Sequence, residues 1–256
     1  MSETILHLDC IHKVFFADKT THEVIHNLSF SMDEKAFVCI LGYTGCGKTT
    51  LLRMICGFEH PNSGTIIING KEHTNPTKDV IMLFQDTEQL FPWKTAAENI
   101  AFVIRNTIPH VNRKAARHKA YDLLDEVGLT EYAEYYPHQL SGGMRQRVAV
   151  ARALAAEPKL LLMDEPFSAL DELTRRRIQS LCRKVYEERE ISVLFVTHSI
   201  EESLTLADKI VIMGHRDGSI LAVLDNQCRT DSSKAVRDMM RARIMDYLQI
   251  SENERK

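Results

Sequence analysis

The fold is decided by one stretch of the chain, Phe37-Val38-Cys39-Ile40-Leu41-Gly42-Tyr43-Thr44-Gly45-Cys46-Gly47-Lys48-Thr49. Its first five residues form an apolar run of strand length, and the remainder matches the pattern G-x-x-x-x-G-K-[ST]. Glycines at these places let the backbone curl so that successive N–H groups face phosphate oxygens, and a helix that follows adds the positive end of its dipole. The stretch therefore predicts a strand, a phosphate-binding loop and a helix, in that order.

Every residue of this phosphate loop is a candidate for nucleotide binding: Gly42, Tyr43, Thr44, Gly45, Cys46, Gly47, Lys48, Thr49 and Thr50. We expect Lys48 to reach the β- and γ-phosphates and the Thr49 hydroxyl to ligate Mg²⁺. By itself the loop indicates an NTPase and leaves a kinase or a GTPase open.

Cys46 lies inside the phosphate loop, where the predicted helix begins. A helix N-terminus stabilises a thiolate. We therefore expect alkylation of Cys46 to inhibit nucleotide turnover, and we expect bound ATP to protect the thiol.

Composition places the chain among ordinary globular proteins. It has 256 residues, of which 44% are hydrophobic and 26% charged, and a formal net charge of −3. The lack of a basic excess argues against a nucleic-acid partner. There is no secretory signal pattern and no apolar segment of about 18–20 residues, so we expect the chain to serve a membrane only as a peripheral subunit. The six cysteines match no metal-binding spacing, and we expect mainly buried, reduced thiols.

Strand-like and helical patterns alternate along most of the chain. The strand-like runs are short and apolar: Phe37–Leu41, Ile66–Ile68, Val80–Phe84, Leu160–Met163, Ser192–Val196 and Ile210–Met213. Helical patterns lie between several of them: Thr49–Cys56, Arg113–Val127, Gln146–Ala156 and Arg175–Glu188. This alternation predicts an α/β fold with a mainly parallel sheet.

Three parts of the chain depart from this alternation. The first about 30 residues and Gly64–Gly70 are β-rich and bounded by turns, which favours a small N-terminal antiparallel sheet. Residues 87–139 are helix-rich, and we predict a helical subdomain at about residues 87–150 within a single domain of residues 1–256. Residues 229–256 form a polar tail with a helical pattern at Ala235–Gln249.

A second motif ends the apolar run Leu160–Met163 with two carboxylates, Asp164 and Glu165. A carboxylate at the end of this strand can hold Mg²⁺, so Asp164 is a candidate metal ligand. Glu165 would then project beside the γ-phosphate and polarise an attacking water. An acidic pair is common at a strand exit, but together with the phosphate loop it favours nucleotide hydrolysis.

A third motif, Leu140-Ser141-Gly142-Gly143-Met144-Arg145-Gln146, resembles the LSGGQ signature of ABC ATPases. Its serine and glycines would open a helix from Gln146 onward, whose N–H groups can bind a γ-phosphate. Ser141, Gly142 and Gly143 are therefore candidate nucleotide-binding residues. In this family the signature loop of one subunit completes the ATP site of the other, so the resemblance implies a head-to-tail dimer with two ATP molecules at its interface.

Further elements of the same family follow in the expected order. Gln85 resembles the glutamine that senses Mg²⁺ and the γ-phosphate, and His198 resembles the histidine that contacts the γ-phosphate. Ser168-Ala169-Leu170-Asp171 resembles the loop that crosses the dimer interface. The resemblance thus implies catalytic roles for Glu165, His198, Gln85 and Lys48, and metal contacts for Thr49, Gln85 and Asp164.

The sequence leaves the adenine contact open. In the family an aromatic residue near the start of the chain stacks on adenine, and Phe15 and Phe16 are adjacent candidates. We take Phe15 as the candidate, although either ring can instead belong to the core.

Short phrases narrow the resemblance to import ATPases of the nitrate, sulfonate and taurine type: Leu90–Thr95, Tyr136–Leu140, Met163–Asp171 and Val193–His198. The resemblance implies a homodimer that uses ATP and Mg²⁺ to drive membrane permease subunits, which take up a small anion delivered by a solute-binding protein. It also implies a peripheral location at the cytoplasmic face of the inner membrane. Trp93 either belongs to an exposed aromatic socket for the permease or packs internally.

Two other classes of ABC protein are alternatives. The first is an exporter cassette, but exporters are often fused to a membrane domain, and the segment Phe91-Pro92-Trp93 favours import. The second is a non-transport ABC ATPase that acts on nucleic acid or ribosomes. Repair-type members carry a long coiled coil between the two halves of the ATP site, whereas this chain has only a short segment between Gln85 and the signature. Translation-type members carry two cassettes in one chain, whereas this chain has one.

Overall fold

The computed structural model describes residues 3–17, 20–85, 89–168, 170–214 and 218–253. In these ranges the strands are β1 (Thr4–Ala17), β2 (Thr20–Asp33), β3 (Phe37–Leu41), β4 (Ser63–Ile68), β5 (Lys71–Glu72), β6 (Val80–Leu83), β7 (Leu160–Asp164), β8 (Ser192–Thr197), β9 (Lys209–Met213) and β10 (Ile220–Asp225). The α-helices are α1 (Lys48–Ile55), α2 (Ala96–Thr107), α3 (Arg113–Glu126), α4 (Gly142–Leu154), α5 (Glu172–Arg189), α6 (Ile200–Leu206) and α7 (Lys234–Asn253). Short 3-10 turns lie at Thr130–Tyr132, Pro137–Gln139 and Gln227–Arg229.

The larger sheet has six strands in the order β10-β9-β3-β8-β7-β6. Its β3–β8, β3–β9, β7–β8 and β6–β7 pairs are parallel, and β10 is antiparallel to β9. Every residue of β3, β7 and β8 is buried, which explains why these strands have continuous apolar sequences rather than alternating ones. The predicted α/β fold with a mainly parallel sheet is confirmed.

The smaller sheet has four strands in the order β2-β1-β4-β5, and its neighbours pair antiparallel. It is the antiparallel sheet that the sequence predicts at the start of the chain and at Gly64–Gly70. Gly64 has a φ of 91°, and a Cβ there would lie 2.4 Å from the carbonyl oxygen of Cys10. A glycine is therefore required where β4 begins beside β1.

The chain between β6 and β7 carries α2, α3 and α4 and, in its described part, no strand. The predicted start of this helix-rich segment at residue 87 lies outside the described residues. Ser141 and the two glycines open the signature helix, as predicted, but α4 begins at Gly142 and not at Gln146. Ser141 has an extended backbone, and its hydroxyl accepts the N–H of Met144, so this side chain caps the helix and both glycines enter the first turn.

The larger sheet separates two hydrophobic cores. Successive residues of β3 divide between them, as expected for a strand that is covered on both faces. Phe37, Cys39 and Leu41 face the core that holds α2, α3, α4 and α5. Val38 and Ile40 face the core that holds α1 and the smaller sheet. The ends of the parallel strands are thus held between two packed layers.

The helical pattern near the end of the chain is confirmed as α7, while residues 254–256 lie outside the described residues. Met240 and Ile244 of α7 are buried in the helix-side core. Arg237 and Arg241 form ion pairs with Glu201 of α6. Apolar and ionic contacts therefore both hold α7 against the rest of the chain.

None of the helices in the described ranges combines the length and the apolar character that a membrane crossing needs.

Asn99 is fully buried in α2 and fixes the loop that precedes this helix. Its side-chain amide donates to the carbonyl oxygens of Phe91, Lys94 and Thr95, and its side-chain oxygen accepts the N–H of Phe91. The carbonyl oxygens of Phe91 and Thr95 also accept backbone N–H groups, those of Lys94 and Asn99. Removing the amide would therefore leave the N–H of Phe91 as the group that loses its partner, at a cost of about 1–3 kcal/mol if it stays dry.

We predict that Asn99→Ala lowers the free energy of unfolding by about 2–4 kcal/mol, because four hydrogen bonds of one buried side chain are lost together and the N–H of Phe91 loses its partner. Asn106→Ala is the matched control. Asn106 is exposed in the same helix and donates to one carbonyl oxygen, that of Phe102, so its loss should cost about 0.5 kcal/mol or less. Urea unfolding followed by circular dichroism measures both variants. An equal loss of unfolding free energy in the two variants would contradict the role of Asn99 as the anchor of this loop.

Candidate active site

The phosphate loop lies between β3 and α1, as the sequence predicts. Gly45 and Gly47 have φ angles of 87° and 99°, in the left-handed region that favours glycine. A Cβ at Gly47 would lie 3.0 Å from both Cγ1 and the carbonyl oxygen of Val24, so a side chain would crowd β2 in addition to straining the backbone. Gly47 is also the N-cap of α1 and gives it no side-chain cap. The first N–H groups of α1 therefore face a position that suits a phosphate.

Lys48 is 5% exposed at the first position of α1. Its Nζ donates to the carbonyl oxygens of Gly42 and Tyr43, both at 2.8 Å. Neutral carbonyls satisfy the hydrogen bonds of the ammonium group but do not balance its charge, and a buried charge is costly without a partner of opposite sign. The position of Lys48 therefore fits an anion such as a nucleotide phosphate. The outer part of the loop is more open, since Thr44 is exposed and Thr50 half-buried.

Cys46 does not have the environment of a reactive thiolate, so the premise of the alkylation prediction was wrong. The residue is 1% exposed, and burial raises the pKa of its thiol above the ordinary value, although Lys48 acts in the opposite sense. Its Sγ packs behind Gly42, where a Cβ would lie 2.8 Å from the sulfur. Desolvation of the sulfur outweighs the helix N-terminus. Cys46 is thus a packing residue in its thiol form.

Thr49 and Asp164 meet where α1 begins and β7 ends. The Thr49 hydroxyl donates to Oδ1 of Asp164 at 3.1 Å. Burial raises the pKa of the Asp164 carboxyl above its ordinary value despite this hydrogen bond. A hydroxyl and a carboxylate that converge in this way are oxygen ligands of the kind that Mg²⁺ prefers. The pair therefore fits a magnesium ion, whose charge would favour the ionised form of Asp164.

Glu165 follows β7 with a φ of 42°, a left-handed conformation that is uncommon for a residue with a side chain. Its N–H donates to the carbonyl oxygen of Val196 at 3.1 Å, and its Oε2 lies 3.1 Å from Nδ1 of His198. This turn brings the carboxylate to the imidazole at the end of the neighbouring strand. A half-buried carboxylate beside an exposed imidazole can orient a water and accept its proton.

Gln85 and Ser168 extend this cluster. Gln85 Nε2 donates to Ser168 Oγ at 3.4 Å, and Ser168 Oγ donates to the carbonyl oxygen of Glu165 at 3.0 Å. The structure therefore brings Gln85, Glu165 and His198 into one connected cluster. In the interface loop predicted at residues 168–171, Ala169 lies outside the described residues.

The signature segment forms the start of α4. Ser141 is exposed and caps the helix, while Gly142 and Gly143 are half-buried in its first turn. A Cβ at Gly143 would lie 2.4 Å from Cγ2 of Thr174 in α5. The second glycine therefore permits the close approach of α4 to α5. The capped start of α4 is a surface of the kind that accepts a phosphate.

Gln146 has a role that the sequence motifs did not assign. It is 1% exposed in α4, and its Nε2 donates to the carbonyl oxygen of Pro166 at 3.0 Å. Within the described residues its Oε1 has no hydrogen-bond partner. The bond ties the signature helix to the turn that carries Glu165. The available signal in the sequence is a polar residue on the apolar side of a helix.

Glu202 was also missed by the sequence motifs. It is buried in the first turn of α6, where Oε2 accepts the Thr197 hydroxyl at 2.5 Å and Oε1 lies 3.8 Å from Nε of Arg175. Burial raises the pKa of its carboxyl. Through Thr197, Glu202 positions the backbone just before His198. The pattern Ser199-x-x-Glu202 is a capping-box signal that could have drawn attention to it.

The two candidates for the adenine contact are both at the surface, so the alternative that either belongs to the core was wrong. Phe15 is 40% exposed and Phe16 is 78% exposed. Nζ of Lys13 lies 4.8 Å from the centroid of the Phe15 ring. The choice of Phe15 for the adenine contact stays a prediction.

Trp93 is 68% exposed, so it does not pack internally. Its ring centroid lies 5.5 Å from that of Phe91, which in turn lies 5.1 Å from that of Phe102. Arg152 stacks on Phe91 with a distance of 5.7 Å to the centroid. These rings form an aromatic surface, defined by Phe91, Trp93 and Phe102, of which Phe91 and Trp93 belong to the loop that Asn99 anchors.

Comparisons with known proteins point to one family. The family model described as ABC transporter matches residues 25–168. The nitrate import ATP-binding protein of Synechococcus elongatus is 41% identical over 208 residues, which cover 81% of this chain and 76% of that protein. The aliphatic sulfonates import ATP-binding protein of Bacillus cereus is 38% identical over 227 residues, which cover 89% and 88% of the two chains.

Comparison with solved structures gives the same fold. A dimeric structure of an ATP-binding cassette, in a post-hydrolysis state bound to ADP and Pi, superposes with a TM-score of 0.78. The sequence identity is 29%, and the match covers 86% of this chain and 98% of that chain.

We predict that iodoacetamide modifies Cys10 at least about ten times faster than Cys46 in the native chain near neutral pH, because reaction requires an accessible thiolate. Cys10 is exposed, whereas Cys46 is buried with a raised pKa. Mass spectrometry of the labelled peptides measures both rates. Labelling of Cys46 should accelerate in urea, and also as the pH rises towards its raised pKa. Equal rates in the native chain would show that burial does not control this thiol.

Proposed function

The chain belongs to the ABC transporter family, and we propose that the site around its phosphate loop is where it binds and hydrolyses ATP to power an importer. An import-type ATP-binding subunit is what the sequence predicts, and the import proteins among its relatives confirm this class. They favour import over the exporter and over the ATPases that act on nucleic acid or ribosomes.

The observation that carries the assignment of the site is the contact of 3.1 Å between Thr49 Oγ1 and Asp164 Oδ1, next to the buried ammonium of Lys48. Phosphate groups would be held by the backbone of residues 42–50, with Lys48 at the β- and γ-phosphates. Adenine would stack on Phe15. The chain thus offers positive charge to the phosphates and an aromatic face to the base.

We assign the metal position to Thr49 and Asp164, with Gln85 as a further ligand. When bound, Mg²⁺ would neutralise charge that develops on the phosphates during transfer. Asp164 contributes a carboxylate that is already desolvated, and Thr49 holds it in place through its hydroxyl. Gln85 is linked through Ser168 to the carbonyl oxygen of Glu165. A displacement of Gln85 on metal binding could therefore move the backbone of Glu165.

Glu165 is the proposed base. It would orient the attacking water and accept its proton, while His198 contacts the γ-phosphate. The 3.1 Å contact between the two side chains would hold the carboxylate and the imidazole together beside the γ-phosphate. Glu202 accepts a hydrogen bond from Thr197, the residue before His198. Glu202 and Thr197 therefore act as positioning residues for His198 and would not contact the nucleotide.

Two copies of the chain would share each ATP, with Ser141, Gly142 and Gly143 of one protomer facing the γ-phosphate in the site of its partner. The exposed cap of α4 supports this arrangement, and the cassette structure similar to this chain is dimeric. An ATP molecule that contacts both protomers stabilises the closed dimer by mass action. Hydrolysis removes that contact and lets the dimer open.

The aromatic surface of Phe91, Trp93 and Phe102 is the proposed contact for membrane permease subunits. Trp93 and Phe102 are exposed and join the half-buried Phe91 in one contiguous surface, and contiguous aromatic surface marks protein–protein contacts. We propose that the complex lies at the cytoplasmic face of the inner membrane and takes up a small anion, such as nitrate, a sulfonate or taurine, delivered by a solute-binding protein. The names of the relatives support this class of cargo.

We predict that Glu165→Gln lowers ATP turnover by at least about 100-fold, because the amide cannot accept the proton of the attacking water. ATP binding should be preserved. Unhydrolysed ATP should then hold two protomers together, so size-exclusion chromatography with ATP and Mg²⁺ should show a stable dimer. Release of inorganic phosphate measures turnover.

Glu188→Gln is the control for this variant. Glu188 is an exposed residue of α5 that pairs with Lys184 at 3.7 Å, and its variant should hydrolyse ATP at the wild-type rate. If Glu165→Gln retained a rate near that of this control, Glu165 would not be the base. If it failed to bind ATP in equilibrium dialysis, its role would be structural.

A further inference from the structure

Three side chains that can bind a metal meet on the outer face of the smaller sheet, outside the nucleotide site. They are His12 of β1 and Glu23 and His26 of β2, and one ligand atom from each lies within 4.8 Å of the other two. Oε1 of Glu23 lies 3.3 Å from Nδ1 of His12 and 2.6 Å from Nδ1 of His26. We propose that these residues form a binding site for a divalent transition-metal ion of the zinc type.

A β-bulge brings the two histidines to the same face. In the pairing of β1 with β2, two residues of β2, His26 and Asn27, lie opposite one residue of β1, His12. Asn27 has a φ of 47°, in the left-handed region. Bulges of this kind bend a strand and redirect its side chains. The extra residue thus lets His26 stand opposite His12 on the solvent side.

A second shift in register places Glu23 on that face as well. Regular alternation would put Glu23 and Ile25 on one side of β2. Val24 is the extra residue at this shift, and the structure instead shows Glu23 and His26 exposed, Ile25 buried and Val24 half-buried. Two adjacent irregularities in one hairpin therefore produce the convergence of three ligand side chains.

The geometry fits zinc with a small adjustment. Two imidazoles and a carboxylate are a known three-residue ligand set, with solvent in the fourth position. Metal–ligand bonds of about 2.0–2.2 Å in a tetrahedron place ligand atoms about 3.3–3.6 Å apart. The separation between His12 and Glu23 already has this value. The ring of His26 must withdraw by about 1 Å or less, and its side chain is 58% exposed, so it has room to do so.

The charge of Glu23 also suits a cation. In the described part of the chain its ion-pair partners are the two imidazoles. Neutral imidazoles leave this carboxylate uncompensated, whereas Glu59 nearby pairs with Lys13 at 2.9 Å. Imidazole nitrogen favours Zn²⁺, Ni²⁺ and Cu²⁺ over Mg²⁺. The cluster is therefore chemically distinct from the oxygen ligands Thr49 and Asp164.

The metal position lies on the strand that supports the phosphate loop. Val24 and Ile25 stand between the ligands Glu23 and His26, and both pack against Gly47. A Cβ at Gly47 would lie 3.0 Å from Cγ1 of Val24 and 3.2 Å from Cγ1 of Ile25. A metal that joins β1 to β2 would hold this supporting strand in place.

Titration with Zn²⁺ alone tests the site. The chain would carry no affinity tag, and the buffer would contain neither nucleotide nor Mg²⁺. Every chain would also carry Cys10→Ser, because Cys10 is an exposed thiol on the same strand as His12. In isothermal titration calorimetry we expect the double variant His12→Ala/His26→Ala to bind one equivalent of Zn²⁺ fewer than its parent, or to bind it at least ten-fold more weakly.

Three variants make this result specific. His7→Ala removes a half-buried histidine of β1 whose Nδ1 lies 2.8 Å from Ser31 Oγ, and it should bind Zn²⁺ like the parent. His198→Ala tests for zinc at the nucleotide site and should retain the equivalent that the double variant loses. His26→Gln replaces the double variant if circular dichroism shows that the latter is unfolded. Equal stoichiometry and affinity in the parent and in the folded variants of His12 and His26 would overturn the proposal.

Discussion

The parallel pairing of β3, β8 and β7 is the constraint on which the candidate active site depends. Leu41 pairs with Thr197, and Val196 pairs with Asp164, so the three strands end at the same edge of the sheet. The loops that follow them carry the phosphate loop, the histidine and the acidic pair. β6 lies beside β7 and delivers Gln85 to that edge. Ligands of open α/β sheets bind at the carboxyl ends of the strands for this reason.

Buried charge at this edge explains why the site favours its ligand. Lys48 and Asp164 are each 5% exposed, and within the described residues neither forms an ion pair, although the charges of Lys48 and Arg53 act on Asp164 from a distance. Burying an ionised group costs free energy unless an opposite charge accompanies it. A polyphosphate together with its cation provides both charges at once. The arrangement therefore lowers stability locally and favours nucleotide binding by the same interactions.

Features that depend on local sequence could be predicted, and features that depend on tertiary contacts could not. Glycine positions and apolar runs define the phosphate loop and the parallel strands, so the sequence was sufficient for both. Cys46 was misjudged because its reactivity depends on what buries the sulfur. Glu202 and Gln146 were missed because their partners belong to other parts of the chain. Glu202 bonds to the side chain of Thr197, and Gln146 bonds to the backbone of Pro166. The cluster of His12 with Glu23 and His26 depends on two bulges that no sequence pattern marks.

The central claim is that each ATP site is shared between two chains, and mixing two inactive variants tests it directly. Lys48→Ala damages the phosphate loop, and Ser141→Arg damages the signature segment. In a mixed dimer one site receives the intact phosphate loop and the intact signature, while the other site carries both lesions. We predict that each variant alone is inactive and that an equal mixture recovers about a quarter of the wild-type ATPase activity, because half of randomly assorted dimers are mixed and have one intact site. A mixture as inactive as its components would contradict the claim.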